Sequence, residues 1–217
     1  MREPRLPCLD ALGHPVEHPR QAADFIGLAH GEGGHKKFPH RWAFYYLIAV
    51  GVWNFIGAGI FGFLINLPVV SYYEVGTNLT ANHAHGALMG VFGMLALGFM
   101  VMVLRQRATD EQWRLTEKLV AISFWGFNLG LAGMIFTSLF PSGVLQVVDA
   151  VNHGYWHARS PAFLNTAIYR GLAWARLPSD TIFIVAGALP LVGATMLTYL
   201  QAWRKPSKDE GGTEREQ

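Results

Sequence analysis

The sequence predicts an all-α integral membrane protein with four transmembrane helices, and three observations carry that reading. Of the 217 residues, 51% are hydrophobic and only 15% charged, where a soluble domain carries roughly a quarter charged residues. Four apolar runs each approach the ~20 residues that a helix needs to cross ~30 Å of hydrocarbon. None of the four contains a lysine, arginine, aspartate or glutamate. The formal net charge is +2, and the basic residues form short clusters between the runs instead of one face, which argues against nucleic acid as a partner. A single cysteine, Cys8, excludes an internal disulfide and a thiolate zinc or iron–sulfur centre built within one chain. Any redox metal must therefore lean on histidine.

Residues 1–40 read as a poorly ordered tail. They hold His14, His18, His30, His35 and His40, several prolines and a Gly-rich stretch. The irregular histidine spacing and the lack of partner cysteines argue against a chelate there. No cleavable signal peptide is evident, so insertion is expected to start at the first helix. The transmembrane region spans residues 41–204, with runs at about 43–66 (closed by Pro68), 82–104, 119–140 (ahead of Pro141) and 181–200. Pro190 is expected to kink the last of these, which membrane helices tolerate. Residues 205–217 form a charged C-terminal tail.

Orientation follows from the flanking cations. Lys36, Lys37 and Arg41 precede the first run, Arg105, Arg107, Arg114 and Lys118 separate the second from the third, and Arg204, Lys205 and Lys208 follow the fourth. The positive-inside rule puts both termini in the cytoplasm and the connections 67–81 and 142–180 on the opposite side. Trp42, Tyr45, Tyr46, Tyr72, Tyr73, Trp113 and Trp203 suit headgroup-level aromatic belts, so membrane lipid is one partner. The spacings Gly86-xxx-Gly90 and Gly126-xxx-Gly130 predict close helix–helix approach.

His83 and His85 carry the chemistry. They lie at one end of the second run, in Asn82-His83-Ala84-His85-Gly86, where an ionisable side chain points to a function by default. Positions i and i+2 on a helix point ~200° apart. One ion cannot easily take both imidazoles, whereas two cofactors flanking the helix can. Gly86 and Gly90 flatten the His83 side for a macrocycle or a neighbouring helix, while Leu88, Met89 and Phe92 give the His85 side a bulky apolar wall. The alternative is that each histidine only hydrogen-bonds across helices.

The run from Trp53 through Asn66-Leu67-Pro68, followed by Tyr72-Tyr73-Glu74-Val75-Gly76-Thr77-Asn78-Leu79-Thr80-Ala81-Asn82-His83-Ala84-His85-Gly86, resembles nitric oxide reductase, most closely the quinol-oxidising type. The stretches Ser138 to Gln146, Gly154 to Ser160 and Arg176-Leu177-Pro178 also resemble that family's C-terminal portion. The resemblance implies four helices of the haem–copper oxidase subunit I fold in a cell inner membrane. It implies two haem b groups shared with absent helices, His83 as axial ligand of the high-spin haem and His85 of the low-spin haem. Thr77, Thr80 and Arg159 are candidates for the haem propionates, since arginine and hydroxyl groups suit carboxylates.

The family's reaction is reduction of two nitric oxide molecules to nitrous oxide, with quinol or cytochrome c as donor. Its non-haem iron ligands, second low-spin axial ligand and catalytic glutamates come from helices with no counterpart here. The chain is therefore expected to be incomplete for catalysis alone, with no catalytic residue of its own, as a fragment or one piece of a split enzyme. Its partners would be the missing N-terminal helices or further copies of itself. Other readings are a stand-alone or dimeric haem-binding electron-transfer protein, a non-functional remnant, or part of an oxygen-reducing terminal oxidase. His153 and His157, at i and i+4 in the long connection, read as interfacial packing residues, with metal binding open only to a helical segment.

Overall fold

A computed structural model describes residues 40–203, and every long element among them is a helix. Of the expected tails, 1–40 and 205–217, only His40 falls within the described residues. The elements are α1 (Arg41–Asn66), α2 (Pro68–Glu74), α3 (Asn78–Arg107), α4 (Asp110–His153), α5 (Pro161–Leu164), α6 (Ala167–Trp174) and α7 (residues 176–203). Four stretches are long and apolar enough to cross a membrane: α1, α3, α4 and Ala167–Leu200, which takes in α6 and most of α7.

Polar residues fix the helix starts. Leu67 leaves helical geometry ahead of Pro68, which opens α2 where its missing N–H costs nothing. Thr77 caps α3 by accepting from the Leu79 N–H. Thr109 and Gln112 form a reciprocal capping box at the start of α4, with Asp110 and Glu111 complementing the helix dipole.

Helix α4 differs from expectation. The sequence predicts that the run 119–140 stops ahead of Pro141, yet the helix continues to His153. The turns at Met134–Leu139 widen to i→i+5 bonding just before the proline. That widening accommodates the ring and its missing donor without breaking the helix. At ~1.5 Å per residue, its 44 residues run well beyond the ~30 Å of hydrocarbon, so the end of α4 projects past it. The connection 142–180 is likewise largely helical.

Similar wide turns occur at Asn54–Phe61, His85–Gly93 and Phe183–Ala188, and they lie where helices meet closest. Both Gly-xxx-Gly faces meet another helix. A Cβ on Gly57 would fall 2.5 Å from the Gly86 backbone, one on Gly90 2.6 Å from Trp53, and one on Gly130 2.7 Å from Phe183. Gly126 abuts the Ala186 backbone. So α3 lies on α1 through Gly86 and Gly90, and α4 on α7 through Gly126 and Gly130.

Hydrogen bonds lock the same contacts. The Trp53 indole donates to Asn128 at 2.9 Å, and buried Ser123 donates to the Gly187 carbonyl at 2.7 Å. At the opposite end of the bundle from Pro68 and Pro141, Arg41 pairs with Glu117 at 2.5 Å and the Trp42 indole donates to the same carboxylate. Much of the outer surface is uncovered hydrocarbon, including Phe55, Phe63 and Phe92, as lipid or further helices require. Gly126→Val should overpack the α4–α7 contact and cost about 1–3 kcal/mol. Thermal unfolding in detergent checks this: a lowered midpoint is expected, with Gly51→Ala, which meets nothing within 4 Å, unchanged or raised.

Candidate functional site

Helix α3 holds its two histidines by different neighbours. His83 Nδ1 lies 2.8 Å from the Gly57 carbonyl of α1, and its ring packs against Gly62, where a Cβ would come within 3.0 Å of Cε1. His85 Nδ1 lies 2.7 Å from the Ala81 carbonyl one turn back. On its other edge, Nε2 faces an Arg176 NH2 group at 3.1 Å, at the start of α7. One ring is therefore drawn to α1 and the other towards α7.

These partners decide the tautomers. A carbonyl only accepts, so each ring donates from Nδ1, and in the neutral imidazole the lone pair then lies on Nε2. For His85 the guanidinium requires this independently, because it can only donate to Nε2. For His83, Nε2 makes no hydrogen bond within the described residues. A backbone carbonyl on one nitrogen that leaves the other basic is the arrangement that orients a metal-ligating imidazole.

The polar surroundings use the other sequence candidates. Thr77 is spent on the α3 cap, and the Thr80 hydroxyl donates to Glu74 Oε2 at 2.9 Å. Glu74 is only 3% exposed. Arg159 donates to the carbonyls of Tyr155, Tyr73 and Val75 and lies 3.5 Å over the Tyr155 ring. Among the described residues its Nε is buried without a partner. Asn82, fully buried beside His83, likewise has both amide atoms unpaired among the described residues, at a cost of about 1–3 kcal/mol. Asn78 donates from its side chain to Ser142 and Tyr169 and from its backbone N–H to the Gln146 side-chain oxygen, which ties the start of α3 to α4 and α6.

Sequence reasoning missed three participants. Arg176 contacts His85 across 91 positions, so no local pattern reveals it. The Gly57 carbonyl carries no side-chain signal. Asp149 had one: with His153 and His157 it forms an i, i+4, i+8 series. Its two carboxylate oxygens take His153 Nδ1 at 2.8 Å and His157 Nδ1 at 2.7 Å.

Residues 25–200 match the family described as Cytochrome C and Quinol oxidase polypeptide I. The chain belongs to that family. The match begins inside the stretch read as a tail and takes in all four apolar helices. A nitric oxide reductase chain of Stutzerimonas stutzeri is 31% identical over 180 residues, covering 78% of this chain and 34% of that protein. The chain thus spans about a third of the length of this curated relative.

The family binds haem, and the donor set here fits that group. His83 offers an oriented, unused Nε2. His85 carries the same nitrogen, here facing Arg176, whose Nε also meets the Asp180 carboxylate at 3.0 and 3.1 Å. Leu88 and Phe92, the apolar wall expected beside His85, are 61% and 65% exposed, so a large flat apolar group finds surface there. Nitrogen-15 NMR of the histidine-labelled, haem-free chain should show the Nδ1–H tautomer for His83 and His85. An Nε2-protonated His83 would contradict the assignment.

Proposed function

We propose that this chain supplies the haem-ligating helix of a respiratory nitric oxide reductase in a cell inner membrane. The observation that carries the reading is the pair of imidazoles two residues apart, each with Nδ1 on a carbonyl, one ring lying against α1 and the other facing Arg176 of α7. His83 would hold the high-spin haem and His85 the low-spin haem. The haems, when bound, supply one-electron transfer and a binding site for the substrate.

The chain's own part is to orient and to exclude water. The Gly57 carbonyl fixes the His83 ring and keeps its proton on Nδ1, and the Ala81 carbonyl does the same for His85. Gly86 brings α1 close enough for the first of these bonds. Arg176 occupies His85 Nε2 until a ligand takes it, and Arg159 with its unpaired Nε offers a donor to a carboxylate at the same end of the bundle. Thr77 and Thr80 lie near that end, beside Glu74.

In the complete enzyme two nitric oxide molecules, two electrons and two protons give nitrous oxide and water. Non-haem iron, its ligands and the second axial ligand of the low-spin haem belong to further helices of that enzyme, and the electrons come from quinol or cytochrome c. The Arg41–Glu117 pair sets the start of α1 beside the cationic turn between α3 and α4, which supports a cytoplasmic location for that end.

Reduced-minus-oxidised absorption of the detergent-purified chain reconstituted with haem tests the reading. Two haem signals are expected, one lost in His83→Ala and the other in His85→Ala. Failure of the wild type to retain haem, or loss of the same signal in both variants, would overturn it.

A further inference from the structure

Beyond the intramembrane histidines, a second group of ligating side chains lies where α4 ends. Asp149, His153 and His157 offer one ligand atom each, all within 4.8 Å of one another. Asp149 is 8% exposed, whereas the side chains of His153 and His157 are 62% and 44% exposed. The turn between the histidines passes through Gly154 at φ 98°, a conformation that suits glycine. It brings the 157–159 turn back over the last turn of α4.

We propose that Asp149, His153 and His157 form a site for a divalent first-row transition ion of the zinc type. Two imidazole nitrogens and one carboxylate oxygen are the donor set that such ions take, in preference to calcium or magnesium, which favour oxygen alone. Bonds of ~2.1 Å place tetrahedral ligand atoms about 3.4 Å apart. Small rotations of the two exposed imidazoles close the difference. Both rings now donate Nδ1–H to the carboxylate. On binding, each neutral ring moves that proton to Nε2, which faces water, and presents the Nδ1 lone pair to the ion. The charge of the ion is partly met by the Asp149 carboxylate, and the exposed side leaves room for water as the fourth ligand.

The site sits at the base of the loop that follows α4. Residues 154–159 carry Tyr155 and Arg159, which hydrogen-bond the Val75 and Tyr73 carbonyls ahead of α3. An ion bridging residue 157 to residues 149 and 153 therefore also fixes the loop that reaches the start of the haem-ligating helix. This assignment stands on its own geometry and does not depend on haem binding.

The test is zinc bound to the full chain in detergent after chelator treatment and dialysis against Zn²⁺, counted by elemental mass spectrometry, with unfolding temperature as a second readout. Asp149→Asn and the double variant His153→Ala/His157→Ala are compared with wild type, and circular dichroism reports their helix content. The tail histidines give the same background in all three. The wild type should hold one more tightly bound ion per chain than either variant, with affinity at this site falling about a hundredfold or more in the variants. Zinc should raise the unfolding temperature of the wild type alone. Equal zinc content in wild type and folded variants would overturn the proposal, leaving the cluster as a hydrogen-bonded loop clamp.

Discussion

The arrangement depends on the approach of two glycines, Gly57 in α1 and Gly86 in α3. A Cβ on either would fall 2.5–2.6 Å from the backbone of the other, so any larger residue separates the helices. In lipid no hydrophobic drive pulls helices together, and close backbone contact supplies the attraction instead. The approach has a chemical consequence one turn away. It delivers the Gly57 carbonyl to His83 Nδ1, and that bond fixes both the ring's orientation and which nitrogen is left free of it. Packing and site chemistry are thus one contact viewed at two atoms.

Much of this was legible in the sequence because lipid imposes simple rules. A span must be apolar over its length, and the four runs were; close helices need small residues at i and i+4, and Gly86/Gly90 and Gly126/Gly130 supplied them. The i, i+2 histidine spacing predicts room for two cofactors flanking α3; in the structure His83 meets an α1 carbonyl and His85 meets Arg176 at the start of α7. What escaped were features set by tertiary placement. Proline usually ends a helix, and only the widened turns at Met134–Leu139 carry α4 past Pro141. Arg176 reads as a loop cation until the fold brings it to His85. Asp149 reads as one charge at a helix end until the Gly154 turn returns His157 to it.

The polar groups inside the bundle divide into two kinds. Trp53 with Asn128, Ser123 with Gly187, and Thr80 with Glu74 are satisfied within the chain and hold helices in register. The Asn82 amide and the Arg159 Nε are buried with no partner among the described residues. Buried polar groups are ordinarily paired. Asn82 and Arg159 lie near the start of α3, whereas Arg105, whose Nε is likewise unpaired among the described residues, lies at its far end.

The most direct measurement is solid-state NMR of the glycine- and histidine-labelled chain in lipid bilayers, read for through-space contacts between α1 and α3. Cross-peaks between the Gly57 and Gly86 Cα carbons, and between Gly62 and the His83 ring, are the expected result. Well-ordered helix signals without either cross-peak would show that α1 does not deliver its carbonyl to His83, and would contradict the central claim.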